Sequence, residues 1–152
     1  MITINRTNAD DPDFRTLVTL LDQDLAIRDG DDHAFFATFN TLDKIKYAVV
    51  AYDGQTPVGC GAIRAYTDDT MEVKRMFVQP EYRGQGIGAQ VLAALETWSV
   101  ELGYSRCRLE TGTRQPEAIQ LYHKSGYDII PNYGQYALVE TSVCFEKSLT
   151  LP

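Results

Sequence analysis

A glycine-rich stretch contains the residue types that could bind a pyrophosphate group. Three glycines occur at positions 84, 86 and 88, directly after Arg83. Glycines leave backbone N–H groups uncovered by side chains, and the helix predicted to follow directs the positive end of its dipole toward them. Arg83 adds a permanent cation with a forked donor geometry. The spacing fits neither the dinucleotide fingerprint nor the P-loop of nucleotide-binding proteins, so it predicts a pyrophosphate-binding loop of another kind.

The elements on either side of this loop determine where its backbone groups point. Residues 71–78 alternate between apolar and polar over part of their length, which predicts a strand. After the loop, apolar residues recur at spacings of three to five, which predicts an amphipathic helix that ends at Gly103. The residues on its apolar face are Ile87, Val91, Leu92, Leu95, Trp98 and Leu102. The loop therefore joins a strand to a helix N-terminus.

The remaining segments predict a mixed α/β chain with its strands in a single sheet. Asp53-Gly54 between two apolar runs predicts a hairpin, and Pro12 and Pro116 each mark the start of a helix. No repeat, low-complexity segment or linker interrupts the pattern, so we expect one domain spanning residues 1–152. Further strands are predicted at 2–6, 47–52, 58–64, 106–111, 127–130 and 142–146, a second short helical segment at 33–41, and a loop at 131–136.

Charge and hydropathy exclude several classes of partner. The formal net charge is −7 and no basic cluster occurs, so nucleic acid is not an expected partner. No stretch approaches the roughly 20 apolar residues of a membrane helix, and the first residues lack the apolar core of a secretory signal. We therefore expect no membrane partner and a cytoplasmic location.

The cysteines and histidines do not form a recognisable metal or disulfide pattern. Cys60, Cys107 and Cys144 lie singly in apolar, strand-like segments and form no Cys-x-x-Cys pair. Their pattern predicts buried thiols in a reducing compartment. Only two histidines are present, His33 and His123, so no metal site is expected.

Two local motifs resemble the GNAT superfamily of N-acetyltransferases. Arg83-x-x-Gly86-x-Gly88, after a strand that ends Val-x-Pro, resembles motif A. The segment 117–127 is similar to the family's Asn-x-x-Ala-x-x-Leu-Tyr-x-x-x-Gly-Phe pattern, with Gln115 at the usual asparagine position. The resemblance implies a mixed, mostly antiparallel sheet of about seven strands flanked by about four helices. It also implies acetyl-CoA as co-substrate without a metal, held by Met76, Phe77, Val78, Arg83, Gly84, Gln85, Gly86, Ile87, Gly88, Ala89 and Gln115.

The resemblance further implies which residues handle protons. Glu72 occupies the position of the strand glutamate that acts as general base in histone-type members of the family. Glu110, on the next strand, is a rival base or an amine-binding residue. Tyr122 corresponds to the tyrosine that protonates the departing thiolate. Backbone N–H groups at residues 76–78 are the expected donors to the oxyanion.

The acceptor implied by the resemblance is a primary amine. In the family, the first two helices and the loop before the last strand form the acceptor site. Here those segments carry Tyr133, Tyr136 and aspartates at positions 22, 24, 29, 31 and 32. Carboxylates and aromatic faces attract cations, so we expect a small cationic amine or a lysine-like side chain in preference to an anionic amino acid. The alternative interpretation of the aspartates is a solvated surface.

Two further functions remain open at this stage. One is a non-catalytic acyl-CoA sensor, which would keep the pyrophosphate loop and lose the proton-handling residues. The presence of both Glu72 and Tyr122 favours an enzyme that works by direct attack in a ternary complex. The other is a protein-lysine acetyltransferase, which needs a peptide groove. The oligomeric state is also open, with a homodimer as one option.

Overall fold

Seven strands form one sheet in this computed structural model, which describes residues 1–29 and 45–149, without the side chains of residues 28 and 29. The strand order is β1-β2-β3-β4-β5-β7-β6. The strands are β1 (Ile2–Thr7), β2 (Tyr47–Asp53), β3 (Thr56–Ala65), β4 (Thr70–Val78), β5 (Arg106–Gly112), β6 (Asp128–Ile130) and β7 (Ser142–Ser148). The helices are α1 (Pro12–Asp29), α2 (Ile87–Glu101) and α3 (Pro116–Lys124), with 3₁₀ turns at Pro80–Tyr82 and Gly134–Tyr136.

The predicted mixed, mostly antiparallel sheet is confirmed. Every neighbouring pair of strands is antiparallel except β4 and β5, which run parallel. Three α-helices are described, close to the four expected. The helical segment predicted at 33–41 lies outside the described residues.

The two faces of the sheet are covered by different helices. Asp11 begins α1 by accepting hydrogen bonds from the backbone N–H groups of Asp13 (2.8 Å) and Phe14 (3.3 Å). Phe14 and Leu17 of α1 are buried on one face, and Ile87, Val91, Leu92 and Leu95 of α2 are buried on the other. Because successive strand residues point to opposite faces, β2 contributes Ala48 and Val50 to the first core and Val49 and Ala51 to the second.

A β-bulge interrupts the pairing of β3 with β4 beside the predicted site. Ala62 pairs with Lys74 and Cys60 pairs with Phe77, so one extra residue of β4 faces the region of Gly61. Arg75 lies in this bulge with a left-handed φ of 63°, which is unusual for a residue with a side chain. The bulge therefore changes the direction of the last residues of β4, the ones that lead into the glycine-rich loop.

The parallel strands β4 and β5 separate after a short pairing. Their register covers only the residues from Thr70 to Glu72 on β4, opposite Arg106 to Arg108 on β5. On its other edge β5 pairs with β7 along its whole length. The later residues of β4 and β5 therefore border a gap in the middle of the sheet, and this gap contains the candidate site.

Gly61 provides a test of the packing around the bulge. A Cβ atom at this position would lie 2.7 Å from Sδ of Met76 and 2.8 Å from Cδ1 of Leu95. Both separations are shorter than contact distance, so Gly61→Ala should displace these side chains. We expect the free energy of unfolding to fall by about 1–3 kcal/mol, measured by urea denaturation. A loss smaller than about 0.5 kcal/mol would show that β3 and α2 are less tightly packed than described.

Candidate active site

The glycine-rich loop presents uncovered backbone to solvent. Gly84 and Gly86 have φ values of 78° and 80°, and a Cβ at either position would meet nothing within 4 Å. Gly86 is the N-cap of α2, and no side chain caps this helix. The N–H groups of its first turn therefore face open space at the positive end of the helix dipole. This arrangement fits a bound phosphate or pyrophosphate group.

Arg83 lies back along the end of β4 instead of reaching out from the loop. Its Nε donates a hydrogen bond to the carbonyl oxygen of Val78 at 2.8 Å, and its Nη2 lies 3.7 Å from Oδ2 of Asp24. Its guanidinium group also lies over the ring of Phe77, 5.5 Å from the centroid. Arg83 therefore stabilises the strand end, and its positive charge lies beside the carboxylate of Asp24 in the wall of the adjoining cleft.

A cleft of about 500 Å³ runs from this loop past the end of β4 to α3. Its lining includes every residue predicted to bind acetyl-CoA except Gln85, whose side chain is exposed and lies 3.5 Å from the carbonyl oxygen of Glu81. Open backbone at the loop and a mixed polar and apolar wall toward α3 fit a ligand with a pyrophosphate and a flexible arm. The predicted residues that line the cleft are Met76, Phe77, Val78, Arg83, Gly84, Gly86, Ile87, Gly88, Ala89 and Gln115.

A smaller cavity of about 90 Å³ adjoins the cleft in the gap between β4 and β5. The charged and hydroxyl-bearing residues in its lining include Glu72, Lys74, Glu110 and Tyr136. Tyr122 lines both this cavity and the large cleft. A molecule in the cavity would therefore meet a molecule in the cleft beside Tyr122.

The hydroxyl group of Tyr122 is suited to donate a proton at this junction. Its ring is buried against Tyr127 and Phe145, with centroid separations of 6.0 and 5.7 Å. Burial raises the pKa of Tyr122 well above its ordinary value, and the nearby charge of Glu110 raises it further. In the part of the chain that the structure describes, no hydrogen bond holds this hydroxyl. Tyr122 therefore remains protonated near neutral pH.

The two candidate bases differ in how their carboxylates are held. Glu72 is fully buried, and its two oxygens accept hydrogen bonds from Nε of Arg64 (3.1 Å) and the hydroxyl of Tyr133 (2.7 Å). Glu110 is half-buried, and its Oε2 accepts a hydrogen bond from Ser142 at 2.7 Å. A proton that arrives at Glu72 would have to compete with an arginine and a tyrosine for the same oxygens.

The two tyrosines of the loop before β7 have different positions. Tyr136 lines the small cavity, as expected of a substrate-binding residue. Tyr133 is buried between the guanidinium of Arg108 (4.6 Å from the ring centroid) and the ring of Tyr66 (5.1 Å), and its hydroxyl is turned to Glu72. Burial, followed by the charge of Glu72, raises the pKa of Tyr133, which keeps this hydroxyl a donor. The position of Tyr133 is that of a support for Glu72.

The aspartates of α1 are largely compensated by arginines. Asp22 accepts a hydrogen bond from Nη1 of Arg75 at 2.8 Å, and Asp24 pairs with Arg83. The side chain of Asp29, and all of Asp31 and Asp32, lie outside the described part of the chain. The two described aspartates that were expected to attract a cation therefore hold β4 and the loop against α1.

Sequence reasoning missed two charged residues in the lining of the small cavity, Lys74 and Arg75. Lys74 follows Glu72 by two residues on β4, and its Nζ lies 3.4 Å from the hydroxyl of Tyr136. Burial lowers the pKa of Lys74, and the charge of Glu72 acts in the opposite direction. The alternation of side chains along a strand could have placed it, since residues separated by two lie on the same side.

Two structural patterns are absent from the described ranges, a cluster of metal-ligating side chains and a membrane-crossing helix. Residues 1–29 and 45–149 contain no cluster of three side chains that could hold a metal ion. No helix in these ranges is long and apolar enough to cross a membrane. The three cysteines are free and buried, as their strand positions predicted.

Comparisons with known proteins agree with this geometry. An IAA acetyltransferase of Azospirillum brasilense is 42% identical over 106 residues, which are 69% of each chain. A solved structure from Klebsiella pneumoniae, assigned as an acyl-CoA N-acyltransferase, is 32% identical with a TM-score of 0.82 over 99% of both chains. A GNAT family acetyltransferase of Elizabethkingia anophelis, solved with acetyl-CoA bound, shares the fold at 21% identity, with a TM-score of 0.68 over 97% of this chain and 98% of that one.

The match to a family model covers the elements that build the site. The model of the acetyltransferase (GNAT) family matches residues 12–127, from the start of α1 to the residue before β6. This range includes β4, the glycine-rich loop, Glu110 and Tyr122. The chain therefore belongs to the GNAT family of acetyltransferases.

Proposed function

We propose that this protein transfers the acetyl group of acetyl-CoA to a primary amine by direct attack within a ternary complex. The observation that carries the proposal is the position of Tyr122, where the small cavity meets the large cleft. The cleft suits acetyl-CoA and the cavity suits the amine, so both substrates can be present together at one hydroxyl group. The Elizabethkingia relative, which has acetyl-CoA bound, supports the identity of the first substrate.

The chain's own residues account for binding the first substrate. The N–H groups of the loop at Gly84 and Gly86 and of the first turn of α2 would hold the pyrophosphate. Met76 to Val78 and Gln115 line the part of the cleft between the loop and the cavity, where they would hold the arm. When bound, acetyl-CoA supplies an acetyl group already activated as a thioester.

The acceptor must lose a proton before it can attack. An alkylamine with a pKa of about 10 is protonated at neutral pH, so the ammonium group is attracted to a carboxylate of the cavity. We assign the proton to Glu110, because its carboxylate is only half-buried in the cavity lining, whereas that of Glu72 is fully buried and held on both oxygens by Arg64 and Tyr133. Glu72 remains the alternative base. Tyr122 donates its proton to the departing thiolate.

The oxyanion that forms during attack requires donors fixed in advance. The bulge at Arg75 disrupts the regular ladder between β3 and β4, immediately before residues 76–78. The bulge leaves Arg75 and Met76 outside the register of β3, whereas Phe77 and Val78 are paired again. Fixed backbone N–H groups that point into a site lower the barrier to acyl transfer. This supports the proposal that the backbone at the end of β4 stabilises the oxyanion.

If the glycine-rich loop binds the pyrophosphate, Gly86→Ala should weaken the binding of acetyl-CoA. The new methyl group would lie in the open space that a pyrophosphate would fill. We expect acetyl-CoA to raise the melting temperature of the wild-type protein, because a ligand that binds the native state stabilises it. The shift should be much smaller, or absent, for the variant. Differential scanning calorimetry at fixed acetyl-CoA concentration measures both shifts.

Gly103→Ala is the matched control for that measurement. Gly103 also has a left-handed φ, 94°, and a methyl group there would also meet nothing within 4 Å, but it lies at the other end of α2. Both variants should lose about 1 kcal/mol of stability from the backbone strain. Only Gly86→Ala should lose the increase in melting temperature that acetyl-CoA causes. Equal increases in the wild-type protein and both variants would contradict the proposal that the glycine-rich loop binds the pyrophosphate.

Initial-rate kinetics with purified protein test the function itself. Thiol release from acetyl-CoA, measured over a matrix of acetyl-CoA and amine concentrations, should give intersecting double-reciprocal lines. Parallel lines would indicate a covalent acyl-enzyme and would contradict direct attack. Activity on lysine-containing peptides but on no free amine would favour the protein-lysine alternative.

A further inference from the structure

We propose that Ser142 is a positioning residue for the general base, and that its hydroxyl group holds the carboxylate of Glu110 ionised and fixed in the wall of the small cavity. The inference rests on the proposed function and adds a residue to its proton-transfer step. Ser142 acts through Glu110, because Ser142 itself does not line the cavity. The evidence is the hydrogen bond between the two side chains and the way in which the backbone of Ser142 is held.

A short hydrogen bond joins the two side chains across neighbouring strands. Oγ of Ser142 donates to Oε2 of Glu110 at 2.7 Å. In the register of β5 and β7, Glu110 lies opposite Cys144 and Ser142 lies opposite Gly112, so Ser142 and Glu110 are diagonal neighbours on one face of the sheet. Because Gly112 has no side chain, the position opposite Ser142 leaves room for its hydroxyl group to turn toward Glu110.

The backbone of Ser142 is fixed at the point where β7 begins. Ser142 is the first residue of this strand and is buried, and its N–H group donates to the carbonyl oxygen of Val139 at 3.1 Å. Nδ2 of Asn132 donates to the carbonyl oxygens of both Val139 (3.0 Å) and Ser142 (3.1 Å), which closes the loop between them. A hydroxyl group on a backbone held in this way loses little conformational freedom when it bonds to Glu110.

Hydroxyl groups of the loop before β7 and of the first residue of β7 contact three charged side chains of the cavity lining. The contacts are Tyr133 to Glu72 (2.7 Å), Tyr136 to Lys74 (3.4 Å) and Ser142 to Glu110 (2.7 Å). This one segment therefore provides a hydrogen-bond donor to both carboxylates of the cavity. Ser142 is the donor that it provides to the assigned base.

A neutral donor supports a carboxylate base in two ways. A hydrogen bond to the ionised form favours that form over the protonated one, so Glu110 remains able to accept a proton at lower pH. The bond also restricts rotation of a carboxylate that is only half-buried. During the reaction the proton passes from the ammonium group of the acceptor to Glu110, while the hydroxyl hydrogen stays on Ser142. The hydroxyl supports the base without the positive charge that Arg64 brings to Glu72.

Several charged or titratable groups face Glu110, and substitution of Ser142 leaves their residue types unchanged. They are Glu72, Lys74 and Arg75 on β4, Arg108 on β5 itself, Tyr122 on α3, Tyr136 in the loop before β7 and Cys144 on β7. The cations among them favour the ionised form of Glu110, and the charge of Glu72 opposes it. Because these groups are present in wild type and variant alike, a difference in the titration of Glu110 reports the lost hydroxyl group.

Ser142→Ala tests the inference by removing only the hydroxyl group. We expect the fall of kcat/KM at acidic pH to begin at higher pH, so that kcat/KM at a fixed acidic pH is about tenfold lower than in the wild-type protein. The loss should be smaller at alkaline pH, where Glu110 is ionised in both proteins. In ¹³C NMR spectra of protein labelled at the glutamate carboxyl carbons, the signal absent from Glu110→Gln should titrate at higher pH in Ser142→Ala.

Two other variants are the matched controls. Threonine retains a hydroxyl group that can donate to Glu110, so Ser142→Thr should titrate close to the wild-type protein. Ser99 is also buried, but its hydroxyl donates to the carbonyl oxygen of Leu95 at 2.8 Å and lines neither cavity, so Ser99→Ala should leave the titration of Glu110 unchanged. The rise in melting temperature with acetyl-CoA checks that each variant is folded. If Ser142→Ala does not fold, Ser142→Cys provides a weaker donor and should shift the titration in the same direction.

The two proposals fail in different ways. If Glu110 titrates at the same pH in Ser142→Ala as in the wild-type protein, the positioning role is wrong, and acetyl transfer at alkaline pH would leave the proposed function in place. An equal shift in Ser99→Ala would also overturn the positioning role, because the effect would not depend on the hydroxyl of Ser142. Absence of an acetylated product from any amine at any pH would overturn the proposed function, and the role of Ser142 in proton transfer with it.

Discussion

Replacing Tyr122 with phenylalanine should lower kcat by about 10²- to 10⁴-fold, the usual contribution of a general acid. The change removes one oxygen atom from a ring that is otherwise packed against Tyr127 and Phe145. The ring contacts remain, so acetyl-CoA should bind with nearly its original affinity. Steady-state kinetics with a confirmed amine, and calorimetric titration with acetyl-CoA, measure the two quantities separately.

Tyr127→Phe is the matched control for this result. Tyr127 is buried beside Tyr122, but its hydroxyl donates a hydrogen bond to Glu96 at 3.0 Å and lines neither cavity. Removal of that bond should lower stability by about 1–3 kcal/mol without a comparable loss of kcat. If Tyr122→Phe retained full turnover, Tyr122 would be a packing residue and its assignment as the acid would be wrong.

Glu110→Gln should produce the second large loss, again about 10²- to 10⁴-fold in kcat/KM. Glutamine has the same shape and can still accept the hydrogen bond from Ser142, but it cannot take a proton from the ammonium group. In the wild-type protein kcat/KM should fall at acidic pH as the base becomes protonated. The variant should lack this dependence, and a pH profile of kcat/KM measures the difference.

Glu72→Gln separates the two candidate bases. This substitution replaces a buried carboxylate that accepts hydrogen bonds from Arg64 and Tyr133, so it should reduce stability by about 1–3 kcal/mol. Under the assignment to Glu110, the variant should retain the acidic limb of the pH profile. If the fall of kcat/KM at acidic pH were absent in Glu72→Gln and present in Glu110→Gln, the base would be Glu72.

The elements that build the site could be predicted because their signals are local. Several boundaries of helices and strands depend on residues that are close together in sequence. They are the hairpin at Asp53-Gly54, the helix starts at Pro12 and Pro116, and the end of α2 at Gly103. Regular spacing of apolar residues placed the amphipathic α2 after the glycine-rich loop. The loop itself was predicted correctly as the connection between a strand and a helix N-terminus.

The bulge at Arg75 could not be predicted in the same way. A left-handed φ usually selects glycine or asparagine, and an arginine gives no such signal. Its conformation is stabilised by long-range contacts, including the ion pair with Asp22 and the hydrogen bond from Sγ of Cys60 to its carbonyl oxygen at 3.3 Å. These partners are separated from Arg75 by 53 and 15 residues, so only the folded chain reveals them.

The hydrogen-bond partners of Glu72 could not all be predicted from the sequence either. Arg64 and Glu72 are cross-strand partners in β3 and β4, which an exact register would have shown. The hydroxyl of Tyr133, by contrast, reaches Glu72 across 61 residues, and nothing near either residue in sequence indicates the contact. Residue types therefore indicated which groups could do chemistry, whereas the hydrogen bonds that distinguish Glu72 from Glu110 depend on tertiary structure.

The most direct test of the central claim is the stoichiometry of acetyl transfer. Purified protein, acetyl-CoA and the preferred amine should yield free thiol and N-acetylated amine in equal amounts, measured by a thiol reagent and by mass spectrometry of the product. Acetyl-CoA without an amine should leave the mass of the protein unchanged, as direct attack in a ternary complex requires. An acetyl-CoA-dependent rise in melting temperature with no acetylated product from any amine would instead identify an acyl-CoA-binding protein without catalytic activity, and would contradict the account.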